Sequence, residues 1–514
     1  MKKILTLLLA LWMLTGCVAM AAGNQLVVGS TTAMSGAFFT DLFGSNTADI
    51  DVRALLHGYN LMSWDHETGT YQINDSVVAG MAVSRDAQNN RVYTFDLYGD
   101  LKFSDGSAIT AKDYAFSILL TASPELAKLG GQSAAVGAIL GMDAYQSGKS
   151  SVLRGVRLLS DTQMSITISK AYEPYFYEMA LFDYSPYPIS ILAPGCKVVD
   201  TEKGVGIVNA GGTGAAIFTA GLLQKTILDA ATGYMSHPSV VSGPYTLTSY
   251  DAQSGTASFA INPYYKGNED GEKPTIETIV YRTVANDEAI DLLLSGEVDL
   301  NKMVAADTIS KGIQSTADQP FSVANYPRSG LSMISFSCER QTVSGKAVRQ
   351  AIASCFDRDA LVKAYTGNFG LKANGYFGIG QWMYQLAAGT IQPPVVDLPA
   401  NATSKEIAAY EKTVAQWDAL SLDKLKDYPL DLDQAAKLLD QDEWRLGKDG
   451  IRAKKIDGKT VALDLTLIYP EGNAVGDALN ATLTENLASI GVRLTVKAVP
   501  MNELLDIYYR RVAR

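Results

Sequence analysis

The chain has 514 residues, of which 47% are hydrophobic, 19% charged and 9% aromatic; 43 Lys and Arg stand against 54 Asp and Glu, for a net charge of −11. Length and apolar content exclude a wholly disordered chain and suggest about three domains or two large lobes. The acidic balance, with no basic cluster beyond Arg510, Arg511 and Arg514, argues against nucleic acid as the main partner, since phosphate binding needs a dense basic patch.

The first segment reads as a leader. Met1-Lys2-Lys3 precedes an almost wholly apolar stretch from Ile4 to Leu14, a positive n-region followed by an h-region of signal-peptide length. It falls short of the roughly 20 apolar residues that span a bilayer. Leu14-Thr15-Gly16-Cys17 resembles a bacterial lipobox, which implies lipid transfer to the Cys17 thiol, a signal peptide at 1–16 and a tether at 17–23. The rival reading is ordinary cleavage at Ala19-Met20-Ala21. No later segment resembles a membrane span: Gly204 to Gln224 is uncharged but Gly-rich, and reads as a loop leading into a short helix.

Leu26 to Gly29 is a short apolar strand, and Ser30 to Gly36 a small polar loop after it. Ligands of α/β clefts lie beyond such strand ends, so Met34, Ser35, Gly36, Phe38 and Phe39 are candidate ligand contacts. Asp51 to Tyr59 has a helical apolar pattern, and Arg91 to Leu97 alternates like a strand. Asp105-Gly106 marks a tight turn. Thr110 with Asp113 predicts a capping box opening a helix that buries Tyr114, Ile118 and Leu119. Further strands are predicted at Met164–Ile168, from Tyr245, at Ala257–Ile261 and at Thr278–Arg282. Asn286 is the predicted cap of a helix that Gly296 ends.

Tyr326, Arg328 and Ser329 precede a strand-like Met333–Ser337, and Arg328 has the fork that meets a carboxylate bidentately. Lys346 to Phe356 reads as a helix. Tyr376, Trp382 and Tyr384 form an aromatic group that either packs or contacts ligand. Residues 385–430, with Pro393-Pro394, Pro399 and a charged helix near Lys405 to Leu420, read as a surface insertion. Helices and strands intermix throughout, which makes this an α/β protein.

Nothing in the sequence asks for an enzyme, a cofactor or a metal. The histidines are His57, His66 and His237; His66-Glu67-Thr68-Gly69-Thr70 lacks the second His of a zinc protease. There is no G-x-S-x-G elbow, complete dinucleotide fingerprint or phosphate loop. Beyond Cys17 the cysteines are Cys196, Cys338 and Cys355; free thiols are expected, with a Cys338–Cys355 bridge as the alternative.

Several segments, in order, resemble one family: the extracytoplasmic solute-binding protein family 5 of ABC importers, the oligopeptide-, dipeptide- and nickel-binding proteins. They are Arg91–Leu97 continuing through Leu101-Lys102-Phe103-Ser104-Asp105-Gly106 to Tyr114; Ser242-Gly243-Pro244-Tyr245 with Asn262-Pro263-Tyr264-Tyr265-Lys266-Gly267; Leu292 to Leu300; Lys346 to Arg358; and Asp433 to Leu439 with Trp444. Tyr98 stands where the family usually has a basic residue.

The resemblance implies a two-lobed, periplasmic-binding-protein-like (type II) α/β fold with an extra subdomain inserted in the first lobe. It implies residues 24–70 and 186–282 for the first lobe, 71–185 for the subdomain and 283–514 for an incomplete second lobe, with Tyr281, Arg282 and Thr283 in the hinge. It further implies a monomer, lipid-anchored at the outer face of the cytoplasmic membrane, that captures peptides for a permease and its ATPases. The alternatives are another solute such as a nickel chelate or a sugar, or a peptide-sensing or chaperone-like lipoprotein without transport. Family members usually continue past Tyr508-Tyr509 into a stretch whose Asp holds the ligand's α-amino group, so a fragment or truncation is expected here.

Overall fold

The computed structural model describes residues 24–44, 46–65, 70–131, 137–173, 177–302, 306–315, 320–324, 330–367, 369–391, 402–471 and 475–508. They fall into two compact units, with the division between Val304 and Ala305. No described helix is long and apolar enough to cross a membrane.

In chain order the first unit contains β1 (Gln25–Ser30), α1 (Thr47–Leu56), β2 (Met62–Asp65), β3 (Thr70–Ile73), β4 (Val78–Arg85), β5 (Arg91–Leu97), α2 (Ala111–Thr121), β6 (Val152–Leu153), β7 (Val156–Leu158), β8 (Gln163–Ile168), β9 (Cys196–Thr201), β10 (Gly204–Asn209), α3 (Ala220–Thr226), β11 (Tyr245–Asp251), β12 (Thr256–Ile261), β13 (Thr278–Thr283), α4 (Ala289–Ser295) and β14 (Leu300–Lys302). Its main sheet has the order β11-β12-β13-β1-β14. β1 runs parallel to both β13 and β14, while β11, β12 and β13 are antiparallel neighbours. The sequence reading ends the first lobe at 282; β14, at 300–302, is a further strand of this sheet. Val28, Val52, Leu56, Phe259, Ile279 and Tyr281 close the core between sheet and α1.

The excursion between α1 and β11 carries a four-stranded sheet, β4-β5-β8-β7, and a three-stranded one, β6-β10-β9. α2 is the centre of its core: Tyr114, Phe116, Ile118, Leu119 and Leu120 are fully buried. The predicted capping box forms, with Thr110 N and Oγ1 donating to Asp113 Oδ2 at 2.8 and 2.9 Å. One expectation fails here. Gly204–Asn209, read as the start of a loop, is β10, paired along its length with β9. Its glycines serve a close approach: a Cβ on Gly204 would stand 2.4 Å from the Leu153 carbonyl oxygen.

A second close approach joins the chain ends of the excursion. Gly243 N donates to Leu56 O at 2.8 Å, and Ser242 Oγ donates to Gly58 O at 3.0 Å. A Cβ on Gly243 would stand 2.5 Å from the Leu55 carbonyl oxygen, 2.5 Å from the Leu56 carbonyl carbon and 2.8 Å from His57 N. These are backbone atoms that no rotamer change can move. Gly243→Ala is therefore expected to destabilise the protein by about 1–3 kcal/mol, as forced overpacking does; an unchanged urea midpoint would refute this.

The second unit contains α5 (Ala306–Ser315), α6 (Lys346–Cys355), α7 (Arg358–Thr366), α8 (Trp382–Ala387), α9 (Ser404–Asp418), α10 (Leu432–Gln441), β15 (Arg445–Leu446), β16 (Arg452–Ile456), β17 (Lys459–Ala462), β18 (Asp464–Pro470), α11 (Val475–Leu479), α12 (Glu485–Ser489), β19 (Arg493–Val499) and α13 (Met501–Tyr508). β18 and β19 are parallel, and α11 and α12 lie in the crossover between them. The helices' junction is a π-turn at 480–484, and the Thr482 carbonyl there accepts from Asp357 N at 3.3 Å. Trp444 packs among Val348, Ile352, Leu439, Leu463 and Leu487. Beside it the buried Arg452 donates to Trp444 O at 2.7 Å, to Ile490 O at 2.7 Å and to Asp440 Oδ1 at 2.5 Å. This one side chain ties β16 to α10 and to the end of α12.

Met333–Ser337, predicted as a strand, is irregular. Its alternation is satisfied by side chains alone: Ile334 and Phe336 pack on the core, while Met333 is exposed. Cys196, Cys338 and Cys355 are free thiols; Cys355 is buried, which pushes its thiol up to about 12. The predicted charged helix near Lys405 is α9, whereas Pro393-Pro394 and Pro399 lie outside the described residues.

Candidate ligand-binding site

The parallel strands of the first unit end together. Ser30 at the end of β1 is opposite Thr283 of β13 and Lys302 of β14. In α/β sheets ligands gather beyond these carboxyl ends. Polar groups collect here. Ser30 is fully buried; its Oγ donates to Thr32 O at 3.0 Å and accepts from Thr32 N at 3.2 Å, folding the chain into a tight turn. Thr31 N donates to Lys302 O at 3.4 Å. Asp51, on α1, accepts from the Tyr281 hydroxyl at 2.9 Å and forms an ion pair with Lys302. Burial, assisted by the Asp51 charge, pushes the Tyr281 phenol well above its ordinary value, so it stays a donor. Lys302 and Asp51 side chains remain 32% and 24% exposed.

The loop after β1 is held from inside. Asp49 has no exposed surface, and it accepts from Ser35 N at 2.8 Å, Ser35 Oγ at 2.6 Å and Asn46 N at 3.1 Å. Met34 and Phe38 belong to the core under the main sheet. Phe39 turns into the excursion's core, edge-on to Tyr187 at 4.6 Å and to Tyr234 at 5.0 Å. Gly36 adopts φ 85°, and a Cβ there would sit 3.4 Å from Ser236 and Tyr250. The side chains of Met34, Phe38 and Phe39 thus anchor the loop, and Ala33 and Ser35 are what it exposes. Ser35 and Gly36 also border an open hollow of about 270 Å³ with Phe43, Leu228, Asp229 and Met235.

His57 stands behind the loop. Its Nε2 donates to the Phe38 carbonyl at 3.0 Å, and its ring lies among Phe39, Tyr187 and Tyr234. Burial, with a smaller contribution from Arg53, lowers it to about 4 against the Phe38 hydrogen bond, which raises it.

Tyr281, Arg282 and Thr283, the expected hinge residues, form the last half of β13, whose two sides pair with β1 and β12. In the second unit Tyr376 is 75% exposed, Trp382 is half-buried at the start of α8, and Tyr384 meets Phe377 edge-on at 6.1 Å. Tyr326, Arg328, Ser329 and Cys17 lie outside the described residues. No group of three or more His, Cys, Asp and Glu among the described residues is placed to hold a metal. The sequence reading missed Asp51 and Lys302. Each is an ordinary charge locally, and only the parallel pairing of β1 with β14, some 270 residues apart, brings them together.

Comparison with known proteins places this architecture. The family model for bacterial extracellular solute-binding proteins, family 5, matches residues 76–512. The oligopeptide-binding protein OppA of Lactococcus lactis subsp. lactis (strain IL1403) is 26% identical over 450 residues, covering 83% of this chain and 62% of that protein. The chain spans about three fifths of the length of the first curated relatives it matches. Among solved structures, lactococcal OppA complexed with an endogenous peptide in the closed conformation gives a TM-score of 0.63 at 18% identity, covering 94% of this chain and 79% of that one. NikZ from Campylobacter jejuni in complex with Ni(L-His) gives 0.58 at 16% identity, covering 93% and 74%. Both likenesses are of fold: the two-lobed α/β architecture of periplasmic binding proteins. The chain belongs to the bacterial extracellular solute-binding proteins, family 5.

Proposed function

We propose that this chain is the substrate-binding component of an ABC importer, a binding protein and not an enzyme, which captures peptides between two lobes and delivers them to a membrane permease. The observation that carries the reading is the family-5 match over residues 76–512; the sequence relatives named as oligopeptide- and dipeptide-binding proteins favour peptide as the solute. Lipid attachment at Cys17, after removal of 1–16, would tether the monomer to the outer face of the cytoplasmic membrane, where two or more acyl chains hold stably. The first lobe comprises 24–70 and the chain from 186 through β14, which belongs to its main sheet; 71–185 is the inserted subdomain and the second lobe is the chain beyond, with Tyr281, Arg282 and Thr283 as the proposed bend.

An extended peptide offers N–H and C=O groups to protein backbone, and water fills out its side-chain pockets. The loop around Ser35 and Gly36 would serve through backbone and the Ser35 hydroxyl, with Met34, Phe38 and Phe39 anchoring it. Tyr326, Arg328 and Ser329, with Tyr376 and Trp382, would contribute from the second lobe. Closure follows if the ligand binds the closed state better than the open one.

The test is thermal unfolding of the purified protein with and without a mixed peptide pool. A ligand selective for the folded state stabilises it by about 2.7 kcal/mol at a hundredfold excess over its dissociation constant, so the midpoint is expected to rise. A midpoint unmoved by peptides but raised by a nickel–histidine complex would replace peptide by chelate.

A further inference from the structure

The hollow between the loop after β1 and the turn after α3 has a chemistry of its own. We propose that it is a side-chain pocket selective for lysine or arginine: its walls take the aliphatic stem of a basic residue of the captured peptide, and Asp229 receives the cation at the tip. The inference rests on the peptide-capturing reading above.

Four observations carry it. The hollow adjoins Ser35 and Gly36, in the loop that follows β1 where the parallel strands end, so it lies beside the place where a ligand's backbone is expected. At about 270 Å³ it falls under the roughly 300–1,000 Å³ of a site that encloses a whole small ligand, and it suits one long side chain. Phe43, Leu228 and Met235 pack on the excursion's core and line the hollow as well, which makes apolar walls that the core holds in place. Small residues keep the space clear: a Cβ on Gly44 would meet no atom within 4 Å among the described residues, and Ala37 and Ala230 line the hollow with it.

The fourth observation is the charge. Asp229 is exposed, and its Oδ1 is spent on its own turn, accepting from Thr232 N at 2.9 Å and from Ala231 N and Thr232 Oγ1 at 3.0 Å. Oδ2 takes none of these bonds, and Lys225, at the end of α3, acts on the carboxyl only as a charge at a distance. The Thr232 hydroxyl, with the Thr232 and Ala231 N–H groups, holds the carboxyl below its ordinary value, so it is ionised at neutral pH. Apolar walls beside an ionised acid match a side chain that is apolar along its stem and cationic at its tip. A wholly apolar side chain would gain the walls alone, and an acidic one would set like charges together.

The experiment is a binding titration on the purified protein with three probes: tri- to hexapeptide pools of uncharged residues in which one position, varied along the peptide, is lysine, norleucine or glutamate. Norleucine keeps lysine's stem without its ammonium. The native protein is expected to bind the lysine pool about tenfold more tightly than the norleucine pool, the scale of one charge-assisted hydrogen bond, and the glutamate pool most weakly. In Asp229→Asn, whose amide oxygen still accepts from the turn, the ratio of lysine to norleucine affinity should fall to about one. Ala230→Phe, which fills the hollow and keeps the acid, should weaken the lysine and norleucine pools together. A lysine preference that survives Asp229→Asn would belong to the protein's net negative charge and overturn the inference, as would equal binding of lysine and norleucine by the native protein; in both cases peptide capture stands. Binding of no pool would remove both readings. Equal losses across all three pools in Asp229→Asn, with a lowered urea midpoint, would make Asp229 a brace of its own turn and overturn its ligand role.

Discussion

Replacing Trp444 by alanine is expected to remove about 3–5 kcal/mol of stability, the range for deleting a large buried aromatic. The residue is 2% exposed and belongs to the unit's buried core together with Val348 and Ile352 of α6, Leu439 of α10, and Leu463 and Leu487. It also carries polar ties that a cavity would loosen. Its Nε1 donates to Asp442 Oδ2 at 3.1 Å, its carbonyl accepts from Arg452, and Lys454 Nζ stands 6.0 Å from the ring. Trp444→Phe, which keeps most of the volume and loses the indole N–H, should cost markedly less. Urea denaturation checks both variants: the Trp444→Ala midpoint should fall with little change in slope. A loss below about 1 kcal/mol would mean that the site collapses around the missing ring.

The second large effect is one of pH. His57 is held near 4 in the folded chain, against about 6.5 when unfolded. Between these values the unfolded state binds the proton and the folded state refuses it, so stability rises with pH across the window. The His57 contribution is fully present above about 6.5 and is lost as pH falls toward about 4. At 1.36 kcal/mol per unit the loss amounts to roughly 3 kcal/mol. Asp113 works in the opposite direction: burial raises it to about 6, so its folded form binds the proton more tightly and its contribution falls as pH rises from about 4 to 6. The two oppose each other in the native protein, and His57→Gln separates them. The glutamine amide can still donate to the Phe38 carbonyl but takes up no proton. Stability measured between pH 4.5 and 7 should rise less with pH in the variant than in the native protein; coincident profiles would exclude His57.

The local signals proved reliable where chemistry acts within a few residues. Thr110 and Asp113 form their capping box because both partners lie on one turn. Gly296 ends α4 at φ 77°, as a glycine stop should. The predicted cap at Asn286 was displaced: the helix begins at Ala289, with Glu288 as its cap. Longer-range features were harder. Gly204–Asn209 reads as a loop because glycine is costly in strands, but β6 crosses so near that only glycine fits. Met333–Ser337 has the alternation of a strand, yet alternation reports burial and not pairing. At the candidate site the loop was found at its predicted place, after the first strand. Which of its side chains face inward was not legible, because Asp49 and the two cores decide that from elsewhere in the chain.

The parallel ladder between β1 and β13 joins Gln25 to Thr278. That ladder brings together strands from opposite ends of the first unit, whereas the excursion's three smaller sheets, β2-β3, β4-β5-β8-β7 and β6-β10-β9, each lie wholly between α1 and β11. Non-local pairing costs its loop-closure entropy before its contacts repay it, so the excursion's sheets are expected to form first and the main sheet of the unit to close around them.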